Sequence, residues 1–230
     1  RGRQEKKEEE GQKEMKLDVL YIATGNEHKV SEISEMLGYN IRCLSMKSLI
    51  SPPDLIEDGD TFEANALAKA SQLADWLKTQ KLNHTHWCVL ADDSGLEVDA
   101  LDGRPGVLSA RFAADESGTK GNAADADNNA KLIRLLKGAP ESQRTGRFRC
   151  VLALVNPDDK DTIRGQWTFN GSCEGQLILD PSGDQGFGYD PLFRPEGYDQ
   201  TFAELGAKIK NEISHRSRAL QKLQTFLNNH

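Results

Sequence analysis

The sequence predicts an α/β protein in which helices surround a mixed β-sheet. In the first half of the chain, strand-like apolar segments alternate with segments of helical periodicity. In the second half, three strand-like segments follow one another before a final helix. Alternating and clustered strands together are typical of one sheet that combines parallel and antiparallel pairs.

The first unit has the pattern of a strand, a turn and a helix. Residues 17–23 are apolar, Thr24-Gly25-Asn26 has the composition of a turn, and Gly38 ends a segment with helical spacing. Such an opening leaves backbone N–H groups at a helix N-terminus free to meet an anion. Lys29 lies in the first helical turn, where the helix dipole disfavours a cation, and this position hints at an anionic partner. For a lone lysine, a solvated surface position is the favoured interpretation.

A long helix follows an acidic turn at residues 57–60. Asp60 is suited to cap this helix, with Glu63 as its capping-box partner. The apolar stripe of the helix runs to about Lys78, and Lys69 lies midway along it between small residues.

The most informative segment is the apolar run from Trp87 to Ala91, which stops at Asp92-Asp93-Ser94-Gly95. Neighbouring residues of a strand point to opposite faces, so at most one of the two aspartates faces a given ligand. A carboxylate at the carboxyl end of a strand is placed to hold a divalent cation or to take a proton from water. The same four residues also form ordinary turns, and the segment alone leaves both interpretations open.

The remainder of the chain supplies further elements. Residues 113–125 are small and polar and predict a surface loop, and a helix around Leu132 then ends at Gly138. A terminal helix begins near Lys208, and Ser214 interrupts it. Between these helices, the alternation of apolar residues predicts strands over 147–155, 162–170 and 173–179.

The composition is that of a globular protein and excludes some classes of function. The 230 residues suit one large domain or two small lobes, with 37% hydrophobic and 28% charged residues. A net charge of −7 argues against a nucleic-acid partner. No apolar run approaches the ~20 residues that span a bilayer, so we expect no membrane partner. Residues 1–16 are charged and nearly devoid of apolar side chains, which predicts a disordered tail before a single domain over 17–230.

The cysteines indicate a reducing compartment. They are widely spaced, without a CxxC pair, at Cys43, Cys88, Cys150 and Cys173. We expect reduced core residues of a cytoplasmic protein and no disulfide framework or zinc site. The charged tail lacks the apolar core of a secretory signal, and its glutamates do not suit an organelle transit peptide.

Two later segments are typical of nucleotide recognition. The loop Gly186-Phe187-Gly188-Tyr189-Asp190-Pro191 places an aromatic ring on a flexible backbone, which suits stacking on a nucleobase; a buried aromatic turn is the alternative. Lys210, His215 and Arg216 form a cationic cluster at a helix start that Ser214 can cap. Their donors suit phosphate or a carbonyl oxygen on a base edge, and a solvated helix end is the alternative. Together with the paired aspartates, these segments predict a nucleotide enzyme that uses a metal ion.

Five motifs in this order resemble the inosine triphosphate pyrophosphatase family, and the likeness covers residues 17–228. They are Thr24-Gly25-Asn26-Glu27-His28-Lys29, Ala91-Asp92-Asp93-Ser94-Gly95-Leu96, Pro105-Gly106 with Ser109-Ala110-Arg111-Phe112, Gly186-Phe187-Gly188-Tyr189-Asp190-Pro191, and Lys210-Asn211-Glu212-Ile213-Ser214-His215-Arg216. The resemblance implies a long mixed sheet with flanking helices, two lobes, and an active-site cleft between them. It also implies a homodimer that uses Mg²⁺ to hydrolyse ITP, dITP or XTP to the monophosphate and pyrophosphate.

The resemblance further implies roles for individual residues. It makes Asp93 the catalytic residue at the metal and the attacking water. It makes Phe187 the residue that stacks on the base, while the segment from Thr24 to Lys29 and the helix residue Lys69 bind the triphosphate. The full set of implied substrate-binding residues is Thr24, Gly25, Asn26, Lys29, Lys69, Ser94, Phe187, Gly188, Tyr189, Asp190, Lys210, His215 and Arg216.

One segment departs from the family pattern. The family commonly has Thr-Phe-x-Glu-Asn where this chain has Thr61-Phe62-Glu63-Ala64-Asn65, so the glutamate is displaced by about 100° around a helix. We therefore assign Glu63 to helix capping and not to the metal. Glu57, in the preceding acidic turn, is the candidate for a second metal carboxylate beside Asp93.

Two rival functions follow from the same residues. One is a pyrophosphatase of the related Maf type, which prefers pyrimidine or modified nucleotides; the Ser214-His215-Arg216 segment argues against it. The other is a catalytically silent nucleotide-binding protein, which the retention of Asp93, Lys29 and Lys69 makes less favoured. Turnover of ITP separates a silent binder from an enzyme.

Overall fold

The computed structural model describes residues 17–38, 41–83, 85–118, 121–157 and 165–229, with only the backbone of residue 117. The expected tail at 1–16 lies outside the described residues. The strands are β1 (Val19–Ile22), β2 (Arg42–Ser45), β3 (Trp87–Val98), β4 (Thr145–Val155), β5 (Gln166–Leu177) and β6 (Phe193–Pro195). The helices are α1 (Glu27–Leu37), α2 (Phe62–Lys78), α3 (Ala114–Ser117), α4 (Asp125–Leu136), α5 (Phe202–Ile213) and α6 (His215–Asn229).

The strands form one mixed sheet in the order β2-β1-β3-β4-β5-β6. β1 lies parallel to both β2 and β3, and every pair from β3 to β6 is antiparallel. The predicted α/β class and mixed sheet are therefore confirmed. In the described part of the chain, no helix is long and apolar enough to span a bilayer.

The two faces of the sheet carry different helices. On one face, Leu73 and Leu77 of α2 pack against alternate residues of the central strands, such as Val89. On the other face, α1 and α6 cover the intervening residues, so that Leu90 packs with Leu220. This alternation follows from the two-residue period of a strand. It places neighbouring residues of β3 in two separate environments.

The aspartate pair does not end its strand, contrary to the sequence prediction. β3 continues to Val98 because β4 pairs with it along its length, with Asp92 opposite Leu152 and Asp93 opposite Val151. On its other side, β3 pairs with β1 only as far as Leu90. The strand end at the aspartates is therefore that of β1, which leaves that edge of β3 without a paired strand among the described residues, and Lys69 Nζ donates to the Asp92 carbonyl oxygen there at 2.9 Å.

Other element boundaries also differ from the prediction. The strands expected at 162–170 and 173–179 are one strand, β5, in the described residues, and 158–164 lie outside them. The capping residue of α2 is Thr61 and not Asp60, since the Thr61 hydroxyl accepts a hydrogen bond from the Ala64 N–H at 3.1 Å. Glu63 instead accepts a hydrogen bond from the Thr168 hydroxyl at 3.1 Å. The loop expected at 113–125 contains the short helix α3, and the short edge strands β2 and β6 had no sequence signal.

Candidate active site

Asp92 lies at the centre of a buried ion-pair network. Its carboxylate pairs with Lys29 and accepts a hydrogen bond from Arg216 Nε at 2.8 Å. The Ser94 hydroxyl donates to Asp92 Oδ1 at 2.9 Å, and the Cys150 thiol donates to Oδ2 at 3.3 Å. Burial opposes ionisation of Asp92, but the charges of Arg216 and Lys29 outweigh it and hold the pKa of this carboxyl well below its usual range. Asp92 is thus a permanent anion that fixes two cations.

Asp93 faces α2, on the other side of β3. Lys69 Nζ lies 3.4 Å from Asp93 Oδ1 and 2.8 Å from Glu57 Oε2, so one buried ammonium group bridges two carboxylates. Burial raises the pKa of Asp93, even though the charges of Lys69 and Lys29 favour its ionised form. Burial also disfavours the charged form of Lys69, yet Asp93 and Glu57 raise its pKa overall. The two adjacent aspartates therefore differ in both partners and acidity.

The carboxylates of Asp93 and Glu57 fit a metal ion that is shared with a substrate. Asp93 Oδ2 is buried without a hydrogen-bond partner among the described residues. Within the same part of the chain, no group of three or more His, Cys, Asp and Glu side chains could enclose a metal. Mg²⁺ commonly takes one or two protein carboxylates and completes its shell with water and substrate phosphate oxygens. The donor set here suits that open arrangement and not a closed protein cage.

The turn before α1 is held by the side chain of Asn26. Its Oδ1 accepts hydrogen bonds from the backbone N–H groups of His28 and Lys29 at 3.0 and 3.3 Å. Two of the N–H groups expected to be free for an anion are therefore taken by this cap, and the Asn26 N–H is bonded to Thr24 Oγ1 at 3.1 Å. A Cβ at Gly25 would meet nothing within 4 Å, so the turn stays open to a ligand at that position. Lys29 has the anionic partner that its helix position predicts, namely the aspartate of the buried network.

The side chains of Lys210 and Arg216 form a wall of N–H donors whose charges are balanced. Glu32 pairs with Arg216 and lies 3.3 Å from Lys210 Nζ. Lys210 also donates to Asp190 Oδ2 at 2.6 Å, and Arg216 Nη2 donates to the Ser94 hydroxyl at 3.1 Å. The N–H groups of this wall suit a carbonyl oxygen on the edge of a base.

His215 is a neutral member of this wall, so the expectation of a third cation is wrong. Its ring stacks on Phe148 with the ring centroids 4.9 Å apart. Burial, reinforced by the charges of Arg216 and Lys210, holds the pKa of His215 well below its usual range. Its Nδ1 is buried and has no partner in the described part of the chain. A neutral imidazole offers one donor and one acceptor.

Phe187 is held between the two sides of the site. Its ring stacks on His28 at a centroid distance of 5.6 Å, and Lys210 Nζ lies 4.4 Å from its centroid. The Phe187 N–H donates to Asp190 Oδ2 at 2.9 Å, and burial raises the pKa of Asp190 although Lys210 favours its charged form. Gly186 has a φ of +82°, and a Cβ there would collide with the Asp190 carboxylate, so this turn requires glycine.

A cavity of about 170 Å³ joins most of these groups. Of the predicted residues, it is lined by Asn26, Lys29, Ser94, Phe187, Gly188, Tyr189, Asp190, Lys210, His215 and Arg216. The predicted residues Thr24, Gly25, Lys69, Asp93 and Glu57 do not line it. A wider groove of about 780 Å³ lies elsewhere, between β4, β5 and α6, and its arginines are bonded to carboxylates or backbone oxygens.

Sequence reasoning missed several residues of the site. Glu32 resembles any exposed acid of an amphipathic helix, and only the fold brings it to α5 and α6. Ser109 and Phe148 line the cavity from segments with no polar pattern of their own, although Ser109 lies in a motif quoted for the resemblance. Asp125 and Asn128 at the start of α4 also line it. An acidic residue at a helix start has an ordinary dipole explanation, which hides a role of this kind.

Comparisons with known proteins agree on one family. The sequence model of the Ham1 family matches residues 20–226. The chain is 45% identical over 212 residues to a dITP/XTP pyrophosphatase of Desulforamulus reducens, covering 91% of this chain and 95% of that protein. It is 44% identical over 209 residues to the dITP/XTP pyrophosphatase of Geobacter sulfurreducens, covering 90% and 96%.

Two solved structures share this fold. The HAM1 protein of Coxiella burnetii superposes with a TM-score of 0.75 at 36% identity, covering 93% of this chain and all (100%) of that chain. The Ham1 protein of Staphylococcus aureus gives a TM-score of 0.75 at 33% identity, with 92% and 99% covered.

Proposed function

Because the chain belongs to the Ham1 family, we propose that it hydrolyses nonstandard purine nucleoside triphosphates, namely ITP, dITP and XTP, to the monophosphate and pyrophosphate. The observation that carries this proposal is the cavity bordered by Phe187 and a donor wall, with an acidic pair on the adjoining strand. An aromatic ring supplies a stacking surface for any base. The N–H groups of the donor wall distinguish one base from another, and the carboxylates act on the attacking water and the metal ion.

The donor wall accounts for the choice of base. Hypoxanthine presents a carbonyl oxygen at C6, whereas adenine presents an amino group there. A buried donor such as Arg216 pairs with the oxygen but faces the amino group donor against donor. Leaving such groups unpaired costs a large discrimination factor. Xanthine adds a second carbonyl at C2 where guanine has an amino group, so a wall of donors favours xanthine over guanine in the same way.

Asp93 is the residue that we assign to the attacking water. Water that attacks the α-phosphorus must lose a proton, and a carboxylate within hydrogen-bond reach accepts it. The raised pKa of Asp93 suits a base better than the depressed pKa of Asp92, because a more basic carboxylate takes a proton more readily. Asp92 instead keeps Lys29 and Arg216 in place. Ser94 is hydrogen-bonded to both Asp92 and Arg216 and so links β3 to the donor wall.

We assign the triphosphate to the end of β1, where two lysines flank the neighbouring strand β3. Lys29 and Lys69 lie on the two faces of β3, and each is bonded to one of the paired aspartates or its backbone. The open turn at Thr24-Gly25-Asn26 lets phosphate oxygens approach the backbone. Cations at this position offset charge that develops on the leaving pyrophosphate.

Asp93 and Glu57 are the residues that would hold Mg²⁺. When bound, Mg²⁺ would neutralise phosphate charge and increase the acidity of water. The buried, unpartnered Asp93 Oδ2 supports this assignment, and so does the carboxylate of Glu57 on the same ammonium group. With Mg²⁺ bound by these two carboxylates, Lys69 would be available to bind the phosphates.

We further propose that the protein is a homodimer, as the family resemblance implies, and that it is cytoplasmic, as its widely spaced cysteines indicate. Light scattering coupled to size-exclusion chromatography measures the mass directly. A mass near twice 25.5 kDa supports the dimer, and a mass near 25.5 kDa contradicts it.

The test of the function is pyrophosphate release from ITP, dITP, XTP, ATP, GTP and dTTP, each with Mg²⁺ and with EDTA. Metal-dependent release confined largely to ITP, dITP and XTP supports the proposal. Preference for dTTP would favour the Maf-type enzyme instead. Binding of ITP without turnover of any nucleotide would indicate a silent nucleotide-binding protein.

A further inference from the structure

Helix α4 holds both backbone polar groups of one residue in the aromatic loop, Gly188. The Gly188 N–H donates to Asp125 Oδ2 at 2.7 Å, and Asn129 Nδ2 donates to the Gly188 carbonyl oxygen at 3.0 Å. Asp125 and Asn129 are four residues apart and therefore lie on one face of the helix. The proposed function assigns no role to either residue, although Asp125 lines the cavity.

The loop needs an external anchor because of its own composition. Gly186 and Gly188 have φ values of +82° and +62°, and glycine in this region loses much conformational entropy when it is fixed. Phe187 lies between them, so the direction of its ring depends on the conformation of both glycines. Asp190 fixes the Phe187 N–H on one side. The contacts from α4 fix the two peptide units that flank Gly188 on the other side.

The helix that provides these contacts is itself firmly placed. Leu132 and Leu136 are buried in the core beside β3 and β4. Asn128 accepts a hydrogen bond from the Ala113 N–H at 2.8 Å, which ties the helix to the preceding segment. A rigid helix that holds a flexible loop at two points transmits its position to the ring carried by that loop.

We propose that Asp125 and Asn129 are positioning residues that set the ring of Phe187 for stacking on the base. Their contacts with the loop are both made at Gly188, next to Phe187, so we assign their effect to the position of the ring. Loss of either contact weakens substrate binding and leaves the chemical step unchanged. This inference rests on the proposed function, because it assigns Phe187 to the base.

The test compares Asp125→Ala with Asp127→Ala, a matched control. Both aspartates are exposed in the first turn of α4, but Asp127 lies about 200° around the helix from Asp125 and so on a different face. We expect Asp125→Ala to raise the KM for ITP at least fivefold, with kcat within twofold of the parent chain. Asp127→Ala should leave both constants unchanged. Asn129→Asp replaces the donor to Gly188 with an acceptor and should raise KM in the same manner.

A double-mutant cycle with Phe187→Ala separates positioning from a general structural effect. If Asp125 acts through the ring, Asp125→Ala causes no further rise in KM once the ring is absent. An unchanged KM in the single variant, or an equal rise in the Phe187→Ala background, would overturn the inference. Absence of ITP turnover by the parent chain would instead refute the proposed function, so the two failures are distinguishable. Circular dichroism verifies that each variant is folded.

Discussion

Replacing Asp92 with asparagine tests whether the two aspartates have the separate roles that their surroundings indicate. The change keeps the shape of the side chain but removes the charge that pairs with Lys29 and Arg216. Arg216 is 1% exposed and retains Glu32, while the Lys29 side chain is 15% exposed and can gain some hydration. Removing one partner of a buried pair costs roughly 3–5 kcal/mol of folding stability. Because Glu32 still pairs with Arg216 and Lys29 can be hydrated, we expect the free energy of unfolding to fall by about 3 kcal/mol, the lower end of that range.

The measurement is the free energy of unfolding in urea at pH 7.5, together with the thermal midpoint. A loss of about 3 kcal/mol corresponds to a midpoint lower by roughly 6–12 °C for a domain of this size. The matched control is Asp93→Asn at the adjacent position. Burial raises the pKa of Asp93 in the folded state, so its charge at neutral pH opposes folding. The Asp93→Asn protein should be as stable as the parent chain or more stable.

The pH dependence of the Asp92→Asn effect has a fixed sign. The folded-state pKa of Asp92 lies below its unfolded value, so its ionic stabilisation is complete above the unfolded pKa of about 3.9. That stabilisation is lost as the pH falls through the folded-state pKa. The difference between parent and variant should therefore be constant from pH 6 to 8 and shrink below about pH 4. A loss under about 1 kcal/mol at pH 7.5, or an equal loss in Asp93→Asn, would refute the reasoning.

Four further results are expected. Asp93→Asn should abolish pyrophosphate release while the far-ultraviolet circular dichroism stays unchanged; parent-like rates would remove this residue from the mechanism. Phe187→Ala should mainly raise KM for ITP through a stacking loss of ~1–3 kcal/mol, and an unchanged KM would mean that the ring is structural. Gly171→Ala should destabilise the protein by ~1–3 kcal/mol because the added Cβ would collide with the backbone of the first turn of α6, at the His215 carbonyl oxygen. The control is Gly138→Ala, whose Cβ would meet nothing within 4 Å, and equal stability of the two variants would contradict this packing. Glu57→Gln should weaken Mn²⁺ binding in the presence of ITP, measured by electron paramagnetic resonance, and unaltered binding would exclude this carboxylate from the metal.

Local patterns were sufficient to predict the elements that fold on their own periodicity. Gly38 ends α1, the stripe of α2 ends at Lys78, and Ser214 separates α5 from α6 as expected. Each of these boundaries depends on residues within one or two helical turns. The Ser214 hydroxyl accepts a hydrogen bond from the Ser217 N–H at 3.1 Å, which is the cap that its sequence position predicts.

Boundaries that depend on a distant strand could not be predicted in this way. β3 continues through its aspartates because β4, more than fifty residues later in the chain, provides backbone partners. The helix start at Thr61 was missed because two consecutive residues, Asp60 and Thr61, offer a capping oxygen, and backbone geometry selects one of them. The edge strands β2 and β6 are short, and an edge strand needs little apolar alternation of its own.

The candidate site divides along the same line. The types and order of its motifs are properties of the sequence. They were sufficient to predict a nucleotide enzyme and more than half of the residues that line the cavity. The charge state of each group was decided by the tertiary structure. Burial beside Arg216 makes His215 neutral, and two cations hold Asp92 ionised. Burial also leaves Asp93 Oδ2 without a hydrogen-bond partner among the described residues. A pKa depends on the charges and solvent within a few ångströms, and those neighbours come from helices and strands far apart in the chain.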